Sequence, residues 1–350
     1  MTTNGIRVPV AKWLPTPLLS DGFGSAFGTS DGLGHAEGVA GGIGAGGSGV
    51  TLSNAGGTWS VSGGKAINTP SVGAELLTNS DFSAWTGDDP DGWTVVGTED
   101  AGSYVTESSG KARIVSDGDL IGLTQNALTA NHWYKTTLSI TAVAAGAVAL
   151  NPSALMIVSF RSSTGTQILT TVATAASFII NRSSGVTDVT VDDASAKELT
   201  FNELVSLSDI STADVMAGVS LVNGSGYLCG LALNWDSASS PANGVICALA
   251  LADGVSSRVA LLKCVAGVWS LVSLTIVTYS AGARLVVQKS GTEYRTYYNN
   301  ALVKADTIAD AGILTGTYHG LFSTDASNTL DDLTIYATGT GGEYSQLDSY

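Results

Sequence analysis

The sequence predicts an all-β protein built from two β-sandwiches. Three observations predict it. Short runs rich in β-branched and aromatic residues recur from Trp59 onward, with turn signals between them. Several runs alternate apolar and polar residues with period two, as a half-buried strand requires. Small residues abound, including 43 glycines, and they suit tight turns and close sheet packing rather than long helices.

Residues 1–20 read as an extended arm, because Pro9, Pro15 and Pro17 forbid a regular helix or central strand. Residues 21–57 are glycine-rich, but Phe23, Phe27, Leu33, Val39 and Ile43 interrupt the run and favour a segment that packs. A phosphate loop needs Gly, four residues, then Gly-Lys-Ser/Thr. Here Trp59 stands where the first Gly belongs and Ala66 where Ser or Thr belongs, so that reading fails.

In the middle of the chain, strands are expected near 111–116, 133–142, 154–161, 166–172, 177–181 and 186–192. The run Tyr134, Thr136, Leu138, Ile140 alternates with Lys135, Thr137, Ser139, Thr141. Further strands are expected near 214–222, 226–235, 244–252, 256–265, 268–279, 283–289, 293–298, 302–305, 318–323 and 331–337. Asn223-Gly224, Asp253-Gly254 and Ser290-Gly291 mark tight turns between several of them. One helix is expected, over about 199–208. Val191-Asp192-Asp193-Ala194-Ser195 is echoed by Leu330-Asp331-Asp332-Leu333-Thr334, and each closes a strand-rich segment.

Composition bounds the function. A chain of 350 residues holds about two domains, and with 44% hydrophobic residues it can bury two cores. The net charge of −15 repels phosphate backbones and anionic membranes. No run approaches the ~18 apolar residues of a membrane helix. The N-terminus lacks the apolar core of a signal peptide, so the expected location is the cytoplasm, or outside after lysis, as for virion proteins. Cys229, Cys247 and Cys264 fall in apolar runs and are expected as buried thiols. His35, His132 and His319 sit at no ligand spacing to them.

Glu75-Leu76-Leu77-Thr78-Asn79-Ser80-Asp81-Phe82, then Trp85 and Asp89-Pro90-Asp91-Gly92-Trp93, resembles the opening of a jelly-roll carbohydrate-binding module common in phage structural proteins. Val191-Asp192-Asp193-Ala194-Ser195-Ala196-Lys197-Glu198 resembles its closing strand. Gly282-Ala283-Arg284-Leu285-Val286-Val287, Asn300-Ala301-Leu302-Val303 and Leu330-Asp331-Asp332-Leu333-Thr334-Ile335-Tyr336 resemble a laminin-G-like or concanavalin-like lectin sandwich. The opening of that sandwich resembles Asp21-Gly22-Phe23 with Gly57-Thr58-Trp59-Ser60-Val61.

The resemblance implies a jelly roll over 71–198 inserted in a discontinuous lectin-like sandwich of 21–70 plus 199–340, with an N-terminal arm over 1–20 and a tail over 341–350. It also implies a structural Ca²⁺ held by Asp81 with Asp192 or Asp193, and a weaker counterpart at Asp331. Clustered carboxylates suit that ion, although the glutamate the family places near Asp81 is missing.

Sugar binding calls for an aromatic platform with polar neighbours. The candidates are Tyr104, Trp133, Tyr134 and Tyr297, whereas Trp93 is expected in the core. Trp133 and Tyr134 open one strand, so one of the two is expected to face solvent. Alternation puts Tyr294 and Tyr298 on one face and Arg295 and Tyr297 on the other. Asp88, Asp89 and Asp91 lie in a turn, and 214–337 lacks the spaced carboxylates of a concanavalin-like glycosidase. The function expected is a non-enzymatic virion surface protein that binds glycans. It is expected to act as a homo-oligomer, to meet other virion proteins through its arm, and to bind neither nucleic acid nor membrane. The alternatives are a purely structural virion component and a polysaccharide-degrading enzyme.

Overall fold

The computed structural model describes residues 18–21, 44–45, 51–52, 58–151, 155, 159–183, 185–252 and 256–338. Most of the expected arm and glycine-rich segment, the Asp253-Gly254 turn and the tail fall outside these residues. The described chain is almost entirely strand, and no helix in it is long and apolar enough to cross a membrane.

Four large antiparallel sheets form. Sheet I runs in the order Ala301–Thr307, Glu293–Tyr298, Ala283–Ser290, Val215–Val222, Thr329–Ala337, Lys65–Asn68, Trp59–Ser62, and Leu19–Asp21 also pairs with Thr329–Ala337. Sheet II runs Val205–Asp209, Tyr318–Ser323, Leu228–Trp235, Gly244–Ala252, Ser256–Val265, Val268–Val277. Between them lie Trp59, Leu231, Leu249, Leu285, Tyr294, Leu321 and Leu333, all buried. The inward phase of each strand supplies these residues, as period-two alternation dictates.

Sheet III runs Tyr104–Glu107, Ala112–Ser116, Thr187–Leu199, Trp133–Ala145, Gly165–Val172, and Val72–Glu75 flanks Thr187–Leu199. Sheet IV runs Ser159–Arg161, Val148–Asn151, Ser177–Arg182, Ile121–Asn126, Thr94–Gly97. Phe82, Trp93, Ile114, Leu138, Leu150, Phe178 and Val191 fill the second core. The chain thus leaves sheet I after Asn68, builds sheets III and IV, and returns to the first sandwich through Val205–Asp209 of sheet II.

Sheets I and III follow one strand plan. Each has a hairpin whose turn runs into its second strand through Gly-Lys-Ala (Gly64-Lys65-Ala66 and Gly110-Lys111-Ala112), and that strand lies beside the closing strand. Ala66 pairs with Leu330, and Ala112 pairs with Val191. Each opening segment starts on Leu-Leu. The Leu18 N–H donates to Ile335 O, and the Leu76 N–H donates to Ala196 O. The Asp-Asp echo is a matched pair of β-bulges. Asp193 and Ala194 stand opposite Leu138 alone, and Asp332 and Leu333 stand opposite Val219 alone. The second aspartate of each pair has a positive φ, 44° at Asp193 and 51° at Asp332. In each bulge the first aspartate accepts a hydrogen bond from the second's N–H, at 2.9 and 2.8 Å.

The two sandwiches meet on an aromatic cluster. Trp133 of sheet III packs edge-on against Trp269 at 5.2 Å between centroids, against Phe322 at 5.3 Å, and stacks on Phe201 at 6.3 Å. Trp235 joins through Phe201 at 4.9 Å. Polar contacts ring the cluster. Lys135 donates to Asp325 at 3.2 Å and lies over the Tyr227 ring, Thr170 N donates to Gly226 O at 2.9 Å, and Trp269 N donates to Asn131 Oδ1 at 3.1 Å.

The helix expected over 199–208 shrinks to Phe201–Leu204, and Val205–Asp209 is a strand of sheet II. Cys229, Cys247 and Cys264 are free and buried. Desolvation pushes their thiols up, to about 12 for Cys247 and Cys264 and further for Cys229.

Candidate functional site

In sheet III, Val105, Ala112, Ile114, Val189 and Val191 point into the core. Alternation therefore turns Tyr104, Thr106, Arg113, Val115, Asp188, Thr190 and Asp192 to the outer face. Register places Tyr104 beside Val115 and then Asp188, and Thr106 beside Arg113 and then Thr190.

Two ion pairs cross this face. Arg113 grips Asp188 with both ends of its fork, Nε to Oδ1 at 2.8 Å and Nη2 to Oδ2 at 2.7 Å. Lys111 pairs with Asp192. The hydrogen bond from Arg113 holds the Asp188 carboxyl below the usual range, and the same bond raises Arg113. Tyr104 is half-buried at the edge of the sheet. The face offers an aromatic edge, two threonine hydroxyls and a balanced row of charges. Such a surface suits a neutral, hydroxyl-rich ligand.

Tyr297 lies on the outer face of sheet I, beside Val286, half-buried. Tyr294 and Tyr298 share one face as expected, and the structure makes it the inner one, with hydroxyls donating to Asn234 Oδ1 at 2.9 Å and Ser280 O at 3.3 Å. Tyr104 and Tyr297 therefore sit on different sheets of different sandwiches.

Trp133 and Tyr134 correct the expectation that one of them faces solvent, for each is 1% exposed. Both faces of sheet III are covered at that end. Trp133 faces the aromatic cluster, and Tyr134 faces the core with its hydroxyl on the Thr129 backbone. Neither ring can stack on a sugar.

Of the carboxylates expected to hold Ca²⁺, those of Asp81, Asp192 and Asp331 have partners within the chain. The Asp81 carboxylate binds Ser83 N at 3.3 Å and Oγ at 3.0 Å within its own turn, and these bonds hold its pKa low. Asp192 is engaged by Lys111 and by Asp193 N, and Asp331 by Asp332 N. Asp193 occupies the bulge position of positive φ. The opening and closing strands are joined instead by Glu75, which accepts from Ala196 N at 2.9 Å and from Ser195 Oγ. Among the described residues, no group of three or more His, Cys, Asp or Glu is placed to hold a metal ion.

Sequence reading passed over Arg113, Asp188 and Lys111. Arg113 and Asp188 are 75 residues apart, and only the sheet brings them together. It also passed over Lys289, which carries a signal: it occupies the apolar phase of its strand after Ala283, Leu285 and Val287.

No family model matches this chain, and no curated protein matches it. Similar solved structures include a carbohydrate-binding module (CBM66) from Bacillus subtilis, with 12% identity, 70% of this chain and 90% of that chain covered, and a TM-score of 0.19. Another is the CBM2 module of an evolved Dit protein from Lactobacillus casei BL23 phage J-1, with 8% identity, 76% and 95% covered, and a TM-score of 0.21. A third is a GH16 protein of the Bacteroides ovatus mixed-linkage glucan locus, with 7% identity, 73% and 97% covered, and a TM-score of 0.22. At such TM-scores the likeness bears no argument about function.

Proposed function

We propose that this chain is a non-enzymatic glycan-binding protein, and that glycan docks on the outer face of sheet III at Tyr104. The observation that carries this reading is the row of half-buried Tyr104, Thr106, Arg113–Asp188 and Lys111–Asp192 on the outer face of one sheet. Charge is compensated there without being hidden, so hydroxyls can exchange into the network. Catalysis by a carboxylic acid asks for a raised pKa. The carboxyls of resolved shift, Asp81, Asp188 and Asp236, all move downward.

A glycan array read with wild type and Tyr104→Ala tests the proposal. The variant is expected to bind about tenfold more weakly, the ~1.4 kcal/mol of one lost ring contact. Unchanged array binding, or reducing ends released from a bound polysaccharide, sinks it.

The finer reading is a virion surface component, a fibre, spike or capsid decoration displayed as a homo-oligomer and docked through its N-terminal arm. Many weak sites then act together through avidity. One observation favours self-assembly, and it also motivates the purely structural alternative. Val268–Val277 ends sheet II, pairs on one side only among the described residues, and contains no charged residue. Val268 and Ile276 on it are 56% and 69% exposed. Such an edge is a template for another strand. Ile276→Lys is expected to convert the oligomer to monomer by sedimentation. A wild type that is already monomeric at high concentration refutes the assembly reading.

A further inference from the structure

At one end of sheet I a lysine stands in the core phase. Lys289 is 1% exposed. Its ammonium donates to Asp214 Oδ1 at 2.7 Å and to Leu314 O at 3.2 Å, and Gly291 N donates to the same carboxylate oxygen at 3.1 Å. Together with Thr212, Ala213 and Thr292, these residues line a cleft of about 280 Å³.

The walls of the cleft are fastened from inside by buried polar side chains. Asn234, fully buried, donates through Nδ2 to Ala213 O at 2.8 Å and to Gly316 O at 2.9 Å. Its Oδ1 accepts from the Tyr294 hydroxyl at 2.9 Å. His319 accepts at Nδ1 from Asn234 N at 3.3 Å, so its proton lies on Nε2 and points to Thr212 O at 3.0 Å. Thr338 N closes the rim on Asp214 O at 3.0 Å. Three buried side chains therefore converge on the loops that shape one cleft, and a pre-formed site needs such support.

The lining selects the ligand. Lys289 and Asp214 cancel each other, so neither an anion nor a cation gains from entering. The volume lies just under the about 300–1,000 Å³ of sites for drug-sized molecules, which leaves room for one ring. The Thr212 and Thr292 hydroxyls and Asp214 Oδ2 offer polar contacts, and Ala213 and Leu314 offer an apolar wall for C–H groups. We propose that this cleft is a second binding site, specific for a single neutral sugar residue, in the opposite sandwich from the Tyr104 face. The choice of a sugar rests on the glycan-binding reading, whereas the charge balance and size stand alone.

Titration of the full chain with neutral and charged monosaccharides, followed by saturation-transfer NMR, tests it. Thr292→Trp fills the cleft from an exposed position, and Thr212→Tyr does so from a second, half-buried lining position. At least one neutral sugar is expected to bind wild type and Tyr104→Ala alike, and to bind both filled variants at least tenfold more weakly at unchanged melting temperature. Neutral sugars that bind filled and wild-type proteins equally overturn the cleft and leave the Tyr104 face standing. A preference for charged sugars, or no binding by any monosaccharide, also overturns it. Loss in Tyr104→Ala alone assigns the sugar to sheet III and refutes the second site.

Discussion

Trp133→Ala is expected to lower the unfolding free energy by about 3–5 kcal/mol, the range for deleting a fully buried large ring. Trp133 touches Trp269, Phe322 and Phe201, so its loss opens a cavity walled by rings of the other sandwich. Trp269 and Phe322 are held by strands of sheet II and Phe201 by the short helix that leads into it, so they cannot simply follow the lost ring. The neighbouring Lys135–Asp325 pair, with side chains 25% and 22% exposed, adds under about 1 kcal/mol. Trp133→Phe is expected to cost far less, because the indole N–H has no hydrogen-bond partner among the described residues to lose. Urea unfolding of the three proteins measures this. The alanine variant is also expected to split one transition into two as the sandwiches uncouple. Equal stability of the alanine and phenylalanine variants contradicts the account.

Acidification is expected to unfold the sandwich of sheets I and II through His319. Burial is the main cause that lowers its pKa from 6.5 to about 4, opposed by the hydrogen bond to Thr212 and aided by the nearby Lys289 charge. In the unfolded chain the same ring takes its proton near 6.5. The contribution is therefore fully present above pH 6.5 and is lost as pH falls toward 4. Each pH unit in that window costs about 1.4 kcal/mol, or about 3 kcal/mol in all. The lowered carboxylates Asp81, Asp188 and Asp236 start from 3.8 and lose their contribution only below it. Melting temperature between pH 7.5 and 4.5 is expected to fall steeply in wild type and gently in His319→Gln. Parallel curves for the two proteins refute the assignment.

Alternation made much of the fold legible. It put Tyr294 and Tyr298 on one face with Arg295 and Tyr297 on the other, and it located every strand from Val215–Val222 to Thr329–Ala337 to within a few residues. It failed at Trp133 and Tyr134, because period two assumes a sheet with one wet face. Here Trp269 and Phe322, distant in sequence, dry the second. The short strands Thr94–Gly97, Tyr104–Glu107, Ile121–Asn126 and Val148–Asn151 were missed, being brief and mixed in polarity. Tyr104 was legible as an aromatic candidate, but its charged neighbours required strand pairing. The Asp-Asp echo was visible, while its companion signals, Leu-Leu and Gly-Lys-Ala, needed the strand plan to align them.

The flanking pair Val72↔Leu199 joins the two ends of the sheet III and IV unit. This sets an order of events during synthesis. Once Leu199 has left the ribosome, the inserted unit owns every strand it needs. The hairpin Trp59–Asn68 must still wait, since its neighbour Leu330 has not been made. Folding of the insert meanwhile brings residue 72 next to residue 199, and so shortens the loop that Ala66 and Leu330 must later close. The nested copy thus acts as a brace that holds the early hairpin near the late strands, and a lesion in the insert is inherited by the outer sandwich as slow, aggregation-exposed assembly.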